Sequence, residues 1–109
     1  MSNFVNIAVD AMGGDGSPKK VIDGIIHNNI SYEDNFYKIF GNRDQILPLL
    51  ENKIDPKFYE IIHTENFVKS TDSPLEAAKK GKDTSMWLSI DSVKSKDSDI
   101  CLLYTSDAA

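Results

Sequence analysis

The sequence predicts an α/β fold in which a mostly parallel sheet carries helices on both faces. Short segments rich in β-branched and aromatic residues alternate with segments whose apolar residues recur at helical spacing. Glycine, asparagine and proline mark the turns between them. The resulting order, β-α-β-α-β-α-β, is typical of parallel strands joined by right-handed crossovers. A sheet that stops as its fourth strand begins is incomplete, so we expect the first part of a longer domain.

Composition narrows the class of protein. The chain has 109 residues, of which 40% are hydrophobic and 27% charged, as in an ordinary globular domain. A net charge of −5 argues against a general nucleic-acid binder. The single cysteine excludes an internal disulfide framework and a cysteine-rich zinc site. No signal peptide or membrane-spanning stretch is present, so we expect a cytoplasmic protein.

The first strand and helix are predicted from residues 4–9 and the segment behind them. The strand is short, β-branched and followed by glycines. Ser17 is expected to cap the helix and Pro18 to occupy its first position. Two pairs of apolar residues, each four positions apart, form one apolar stripe along the helix. These pairs are Val21/Ile25 and Ile22/Ile26. Asn28-Asn29 is expected to end the helix.

The middle of the chain predicts two further strands around a short helix. Residues 36–40 form the second strand, closed by Gly41, and residues 58–62 the third. Between them, Asn42 is expected to cap a helix that Pro48 keeps short or kinked. Asp55-Pro56 marks a turn before the third strand.

The last third predicts a loop, an interrupted helix and a fourth strand. Residues 63–72 are polar, and Ser73-Pro74 then opens a helix with a capping box. Gly81 interrupts it, and a second helical run follows, with Met86, Ile90 and Val93 on one apolar face and Trp87 beside them. We expect Met86 and Trp87 to lie in the core. Residues 97–101 begin the fourth strand.

The glycine-rich turn after the first strand is the main candidate site. Gly13 and Gly14 give this turn, which connects the first strand to the first helix, a flexible backbone. Asp10 and Asp15 lie on either side of the two glycines. Such a turn can aim backbone N–H groups at a phosphate, or it can be a plain tight turn. The aspartates can bind a metal, orient a substrate hydroxyl or cap backbone N–H groups. The residues alone leave these alternatives open.

A second candidate is the basic run that precedes the last helix. Lys79, Lys80 and Lys82, followed by Thr84 and Ser85, can meet an anionic ligand. Lysines on a helix are more often a solvated face.

Three stretches together resemble the bacterial phosphate acyltransferase family of phospholipid synthesis. Residues 7–15, with Pro18 three residues on, resemble its opening D-x-M-G-G-D. Gly41 stands where the family has a G-[ND] turn. Residues 71–78, the lysines and Thr84-Ser85-Met86 resemble its D-x-P-x-x-A-[VIL]-[RK] segment, basic run and S-S-M. The order and spacing fit from residue 4 to about residue 101.

The resemblance implies a three-layer α/β/α fold like that of isocitrate and isopropylmalate dehydrogenases and of phosphotransacetylases. The implied reaction is transfer of a fatty acyl group from acyl carrier protein to inorganic phosphate, giving acyl-phosphate without a cofactor or metal. The implied substrate- and phosphate-binding residues in this chain are Asp10, Gly13, Gly14, Asp15, Lys82 and Ser85. The family also implies a homodimer, an acyl carrier protein partner and peripheral contact with the inner face of the membrane.

The end of the chain departs from the family. Where the family continues with S-A-G-N-T-G-A, residues 101–109 resemble the translated end of a transposon adapter used in sequencing libraries. We expect residues 1–100 to be the native part, the catalytic residues to lie beyond residue 101, and this polypeptide to be inactive. Two alternatives stay open: a phosphotransacetylase-like enzyme acting on acyl-coenzyme A, and a non-catalytic phosphate- or nucleotide-binding module.

Overall fold

A computed structural model describes residues 4–13, 16–67, 75, 81 and 84–102. Within them the chain runs through β1 (Val5–Asp10), α1 (Lys19–Ser31), β2 (Asn35–Gly41), α2 (Arg43–Leu50), a 3-10 helix (Pro56–Phe58), β3 (Tyr59–His63), α3 (Ser85–Lys94) and β4 (Ile100–Leu102). The four predicted strands and the helix after Gly81 are therefore confirmed. The helix predicted from Ser73-Pro74, the run of lysines and the tail after residue 102 lie outside the described residues, apart from Leu75.

The four strands form one sheet in the order β3-β2-β1-β4. Every pairing is parallel: β1 pairs with β2 from Val5↔Asn35 to Asp10↔Phe40 and with β4 through Ile7↔Ile100. The third strand pairs with β2 from Tyr37↔Tyr59 onward. The predicted parallel α/β class is confirmed, and the closer likeness to isocitrate and isopropylmalate dehydrogenases stays a prediction.

The helices cover opposite faces of the sheet. Because side chains alternate along a strand, the odd-numbered residues of β1 and β2 share one face. Val9 and Ile39 of that face belong to the same buried cluster as Ile22 and Ile25 of α1 and Ile46 of α2. On the other face, the even-numbered Asp10 contacts Ser85 of α3. The first two helices therefore lie on one face of the sheet and α3 on the other.

The first helix differs from its prediction at both ends. Pro18 is the N-cap residue, and no side chain caps the helix, so the expected capping role of Ser17 is wrong. The helix also continues past Asn28-Asn29 to Ser31. The side chain of Asn28 instead accepts hydrogen bonds from the Tyr37 hydroxyl at 2.6 Å and the Asn35 amide at 3.2 Å. This tie to β2 satisfies an asparagine that helix propensity alone would place at a helix end.

The second helix follows its prediction. Asn42 is the N-cap, and its side chain accepts a hydrogen bond from the Asp44 backbone N–H at 2.9 Å. The helix is eight residues long and contains Pro48, which has no N–H to donate to the preceding turn. Asp55 caps the following 3-10 helix through the N–H of Lys57, at 3.0 Å.

The third helix packs against the sheet through serines. Ser85, Ser89 and Ser92 are buried, whereas Trp87 is 38% and Ile90 45% exposed. The expectation that Met86 and Trp87 lie in the core is therefore wrong: Met86 is half-buried and Trp87 is exposed. Apolar periodicity predicted the helix correctly but the wrong inward face, because the buried serines have hydrogen-bond partners: Ser85 bonds to Asp10, Ser89 to the Met86 carbonyl oxygen and Ser92 to Ser98.

None of the helices that the structure describes is long and apolar enough to cross a membrane.

Candidate functional site at the carboxyl end of the first strand

The strand order places a topological switch point between β1 and β4. From β1 the chain moves through α1 to β2 on one side, and after β3 it returns through α3 to β4 on the other side. Because α1 and α3 lie on opposite faces, the connections diverge at the carboxyl ends of β1 and β4 and leave a crevice there. Ligands of open α/β sheets bind in such crevices. Asp10, the last residue of β1, stands at this point.

A hydrogen bond between Asp10 and Ser85 connects two of the segments in which the sequence analysis places site residues. Ser85 Oγ donates a hydrogen bond to Asp10 Oδ1 at 2.6 Å, across 75 positions of the chain. The same oxygen accepts the backbone N–H of Met12 at 3.1 Å. Asp10 is 2% exposed and Ser85 is fully buried. The pair ties the turn after β1 to the first residue of α3 and fixes the orientation of the carboxylate.

The second carboxylate oxygen of Asp10 has no such partner. Asp10 Oδ2 is buried and lacks a hydrogen-bond partner among the described residues, and so does Ser17 Oγ. Both residues line the same cavity, of about 580 Å³, together with Lys20 of α1. Buried polar groups are nearly always hydrogen-bonded, and an unpaired one is costly. Two residues at the polar end of the cavity thus each carry a buried oxygen without a hydrogen-bond partner among the described residues.

The rest of the cavity lining is mainly apolar, and it also includes Asn28, Asn35 and Tyr37. It runs along β1, α1 and the edge strand β4, away from Asp10. Its apolar lining consists of Val5, Ile7, Val21, Ile25 and Ile100. The arrangement joins a polar end, at the switch point, to an aliphatic flank.

The structure describes only one of the other predicted binding residues. Gly13 is buried directly behind Met12, at the start of the turn. Gly14, Asp15 and Lys82 lie outside the described residues, as do Lys79 and Lys80. Of the six predicted binding residues, the structure therefore brings Asp10, Gly13 and Ser85 to one end of β1.

Two residues that sequence reasoning did not select also line the cavity. They are Ser17, which the sequence predicts to cap α1, and Cys101, which lies in β4 opposite Ala8. The expectation that Cys101 begins a non-native tail stays a prediction. Burial raises the pKa of the Cys101 thiol, a hydrogen bond with Ser89 lowers it, and the negative charge of Asp10 raises it further. The only sequence signal for Ser17 was its position immediately after the glycine turn.

The described part of this site contains no cluster of metal ligands. Among the described residues, no group of three or more histidine, cysteine, aspartate or glutamate side chains is arranged to hold a metal ion. Of the residues that the structure describes, Asp10 alone places a carboxylate at the polar end of the cavity, beside a hydroxyl and the amino end of α1, where backbone N–H groups and the helix dipole favour an anion.

Comparison with known proteins agrees with the sequence motifs. A family model described as "Fatty acid synthesis protein" matches residues 5–108. Proteins named "Phosphate acyltransferase" are 57% identical over 102 residues in Pelagibacter ubique, and 38% over 98 residues in Listeria welshimeri. A protein of the same name from Ehrlichia chaffeensis is 37% identical over 97 residues.

These matches cover most of the chain but little of the relatives. They include 94%, 90% and 85% of this chain, respectively, but only 30%, 28% and 29% of the three relatives. The chain thus spans less than a third of the length of the curated relatives it matches. With its crevice at the end of β1 and a family match from residue 5 to residue 108, the chain belongs to the fatty acid synthesis protein family.

Proposed function

We propose that the protein to which this chain belongs transfers a fatty acyl group from acyl carrier protein to inorganic phosphate, giving acyl-phosphate for phospholipid synthesis. The observation that carries the proposal is the Asp10–Ser85 hydrogen bond of 2.6 Å, which joins two family segments at the switch-point crevice. The name of the relatives, phosphate acyltransferase, supports the reaction class.

The chemistry requires a site for phosphate beside a thioester. A phosphate oxygen forms a bond to the acyl carbon, and a tetrahedral intermediate carries negative charge on the former carbonyl oxygen. The carbon–sulfur bond then breaks, and the carrier thiolate leaves and is protonated. Hydrogen-bond donors that stabilise the phosphate and the oxyanion accelerate such a step. The turn at Gly13 and the amino end of α1 suit this role.

The shape of the cavity suits both substrates. Its polar end, with Asp10, Ser17 and Lys20, fits phosphate, and its aliphatic flank along β1 fits the alkyl chain of the donor. As finer parts of the same proposal, the complete protein is a cytoplasmic homodimer that contacts acyl carrier protein and touches the membrane only peripherally.

The test uses a complete enzyme, because the chain spans about 30% of its Pelagibacter ubique relative. In the hybrid enzyme, residues 4–102 of this chain replace the matching stretch of that relative. We expect the hybrid to release carrier thiol and form acyl-phosphate from acyl carrier protein thioester and phosphate.

Two results would contradict the proposal. Turnover with coenzyme A thioesters but not with acyl carrier protein thioesters would indicate a phosphotransacetylase-like enzyme. A folded hybrid without turnover, together with saturable phosphate or nucleotide binding by the 109-residue chain itself, would indicate a binding module.

A further inference from the structure

We propose that Asp10 selects inorganic phosphate by its proton: Oδ2 accepts a hydrogen bond from the P–OH group of hydrogen phosphate, and Ser17 Oγ donates to another phosphate oxygen. This inference rests on the proposed function and adds the groups that recognise the substrate. Without a hydrogen bond from the phosphate proton, a buried carboxylate beside a bound anion would be unfavourable, because two negative groups repel each other.

The first step concerns which oxygen of Asp10 is available. Oδ1 already accepts from the Met12 N–H and from Ser85 Oγ, which fixes the carboxylate plane. Oδ2 has no partner among the described residues and Asp10 is 2% exposed. A carboxylate oxygen accepts but cannot donate. A ligand atom meeting Oδ2 must therefore carry a proton or a positive charge.

The second step concerns the class of ligand. A metal ion would need further ligands, and no cluster of three metal-ligating side chains exists within the described ranges. The partnerless hydroxyl of Ser17 lines the same cavity and can donate to an anion. A ligand that presents both an O–H donor and anionic acceptors matches both groups. Hydrogen phosphate is such a ligand, and sulfate lacks the proton near neutral pH.

The third step concerns discrimination. A protonless tetrahedral anion would face Oδ2 with a lone pair and leave a buried carboxylate oxygen unpaired. Losing a hydrogen bond to a charged group and leaving it desolvated weakens binding by about tenfold or more. Asp10 would thus exclude sulfate while the Gly13 turn and helix α1 attract anions of either kind.

The first measurement needs no variant. The hybrid enzyme is assayed at about pH 8, where phosphate is mainly the monoprotonated dianion. We expect the inhibition constants of sulfate and monofluorophosphate to be about tenfold or more above the KM for phosphate. Both are tetrahedral anions without a proton to donate. Inhibition by either at concentrations near the KM for phosphate would overturn the proposal even if no Asp10 variant folds.

The second measurement reverses the preference. In Asp10→Asn, the amide oxygen can keep the bonds from Met12 and Ser85, and the amide NH₂ then replaces Oδ2 with a donor. We expect the KM for phosphate to rise about tenfold or more and the inhibition constant for sulfate to fall. Ser17→Ala should weaken phosphate and sulfate alike, because its hydroxyl donates to either anion.

The outcomes separate the two proposals. A folded hybrid that forms no acyl-phosphate contradicts the proposed function. An active hybrid in which Asp10→Asn keeps the original phosphate-to-sulfate ratio leaves the function intact and overturns the role of Asp10. If a chelator abolishes activity and Mg²⁺ restores it, Oδ2 binds a cation, and the proposed role of Asp10 in phosphate selection is overturned.

Discussion

The two faces of the sheet are built from different kinds of contact. The face under α1 and α2 is aliphatic, and Ile22, Ile39, Ile46 and Leu50 are fully buried there. The face under α3 meets buried polar groups, including Asp10, Ser85, Ser89 and Ser92. We refer to them as the aliphatic face and the serine face.

The two faces therefore contribute differently: one mainly to the free energy of unfolding, the other to the positions of the polar atoms. Burying a large aliphatic side chain contributes about 1.5–3 kcal/mol, whereas a neutral hydrogen bond contributes about 0.5–1.5 kcal/mol net. The aliphatic face therefore supplies most of the stability. The serine face uses directional bonds, such as Ser85–Asp10 and Ser92–Ser98 at 2.7 Å, to fix where polar atoms lie.

The largest effect is expected from truncating the aliphatic face. Ile39→Ala leaves a cavity under α1 and α2 and should lower the free energy of unfolding by about 2–5 kcal/mol. Urea unfolding followed by circular dichroism measures it. Ile30→Ala is the matched control, because Ile30 lies on α1 but is 76% exposed and should change stability by less than about 0.5 kcal/mol. Equal losses for the two variants would refute the assignment of the core.

A smaller effect is expected from the serine face. Ser85→Ala removes a hydrogen bond to a carboxylate and should cost about 1.5–3 kcal/mol, whereas Ser92→Ala removes a neutral bond to Ser98 and should cost about 0.5–1.5 kcal/mol. The same urea titration compares them. A larger loss for Ser92→Ala would mean that the Asp10 pair is not the stronger contact of this face.

Two glycines test how tightly the aliphatic face is packed. A Cβ at Gly41 would lie 2.7 Å from both Ile46 Cδ1 and Met12 Cγ, so Gly41→Ala should destabilise by about 1–3 kcal/mol. A Cβ at Gly24, in α1, meets nothing within 4 Å. Gly24→Ala should therefore stabilise by about 0.5–1 kcal/mol through helix propensity. Thermal unfolding shows the signs, and a destabilised Gly24→Ala would contradict the open space beside α1.

A small effect is expected on the outer side of α3. Ile90→Ser should lower the free energy of unfolding by only about 1 kcal/mol, because Ile90 is 45% exposed and loses about half of the contribution of a fully buried side chain. The sequence periodicity instead predicts a core residue and a loss of several kcal/mol. A large loss on urea unfolding would favour that periodicity and would mean that α3 turns its apolar side, not its serines, toward the sheet.

Local rules predicted most of the fold. The strands, the Asn42 cap and the short helix around Pro48 follow from residue type and spacing within a few positions. The inward side of α3 does not follow, because serine is a polar residue and its burial here depends on bonds to Asp10, to Ser98 and, for Ser89, to the Met86 carbonyl oxygen. The length of α1 was missed for a similar reason, since Asn28 bonds to Tyr37 of the neighbouring strand.

The sequence motifs selected residues that lie close together in the structure, and their role as a binding site stays a prediction. The motifs pointed to Asp10, Gly13 and Ser85, and the structure places these residues near one end of β1. Their contact depends on α3 returning across the sheet to precede β4, which no local pattern contains. The unpaired oxygens of Asp10 and Ser17 are likewise a property of the assembled crevice.

The phosphate KM of the hybrid enzyme tests most directly whether the serine face positions the site. Ser85→Ala releases the Asp10 carboxylate from α3, and we expect the KM for phosphate to rise about tenfold. Ser92→Ala, further along the same buried face of α3, should leave it unchanged. Equal phosphate KM values for the two folded variants would contradict the account.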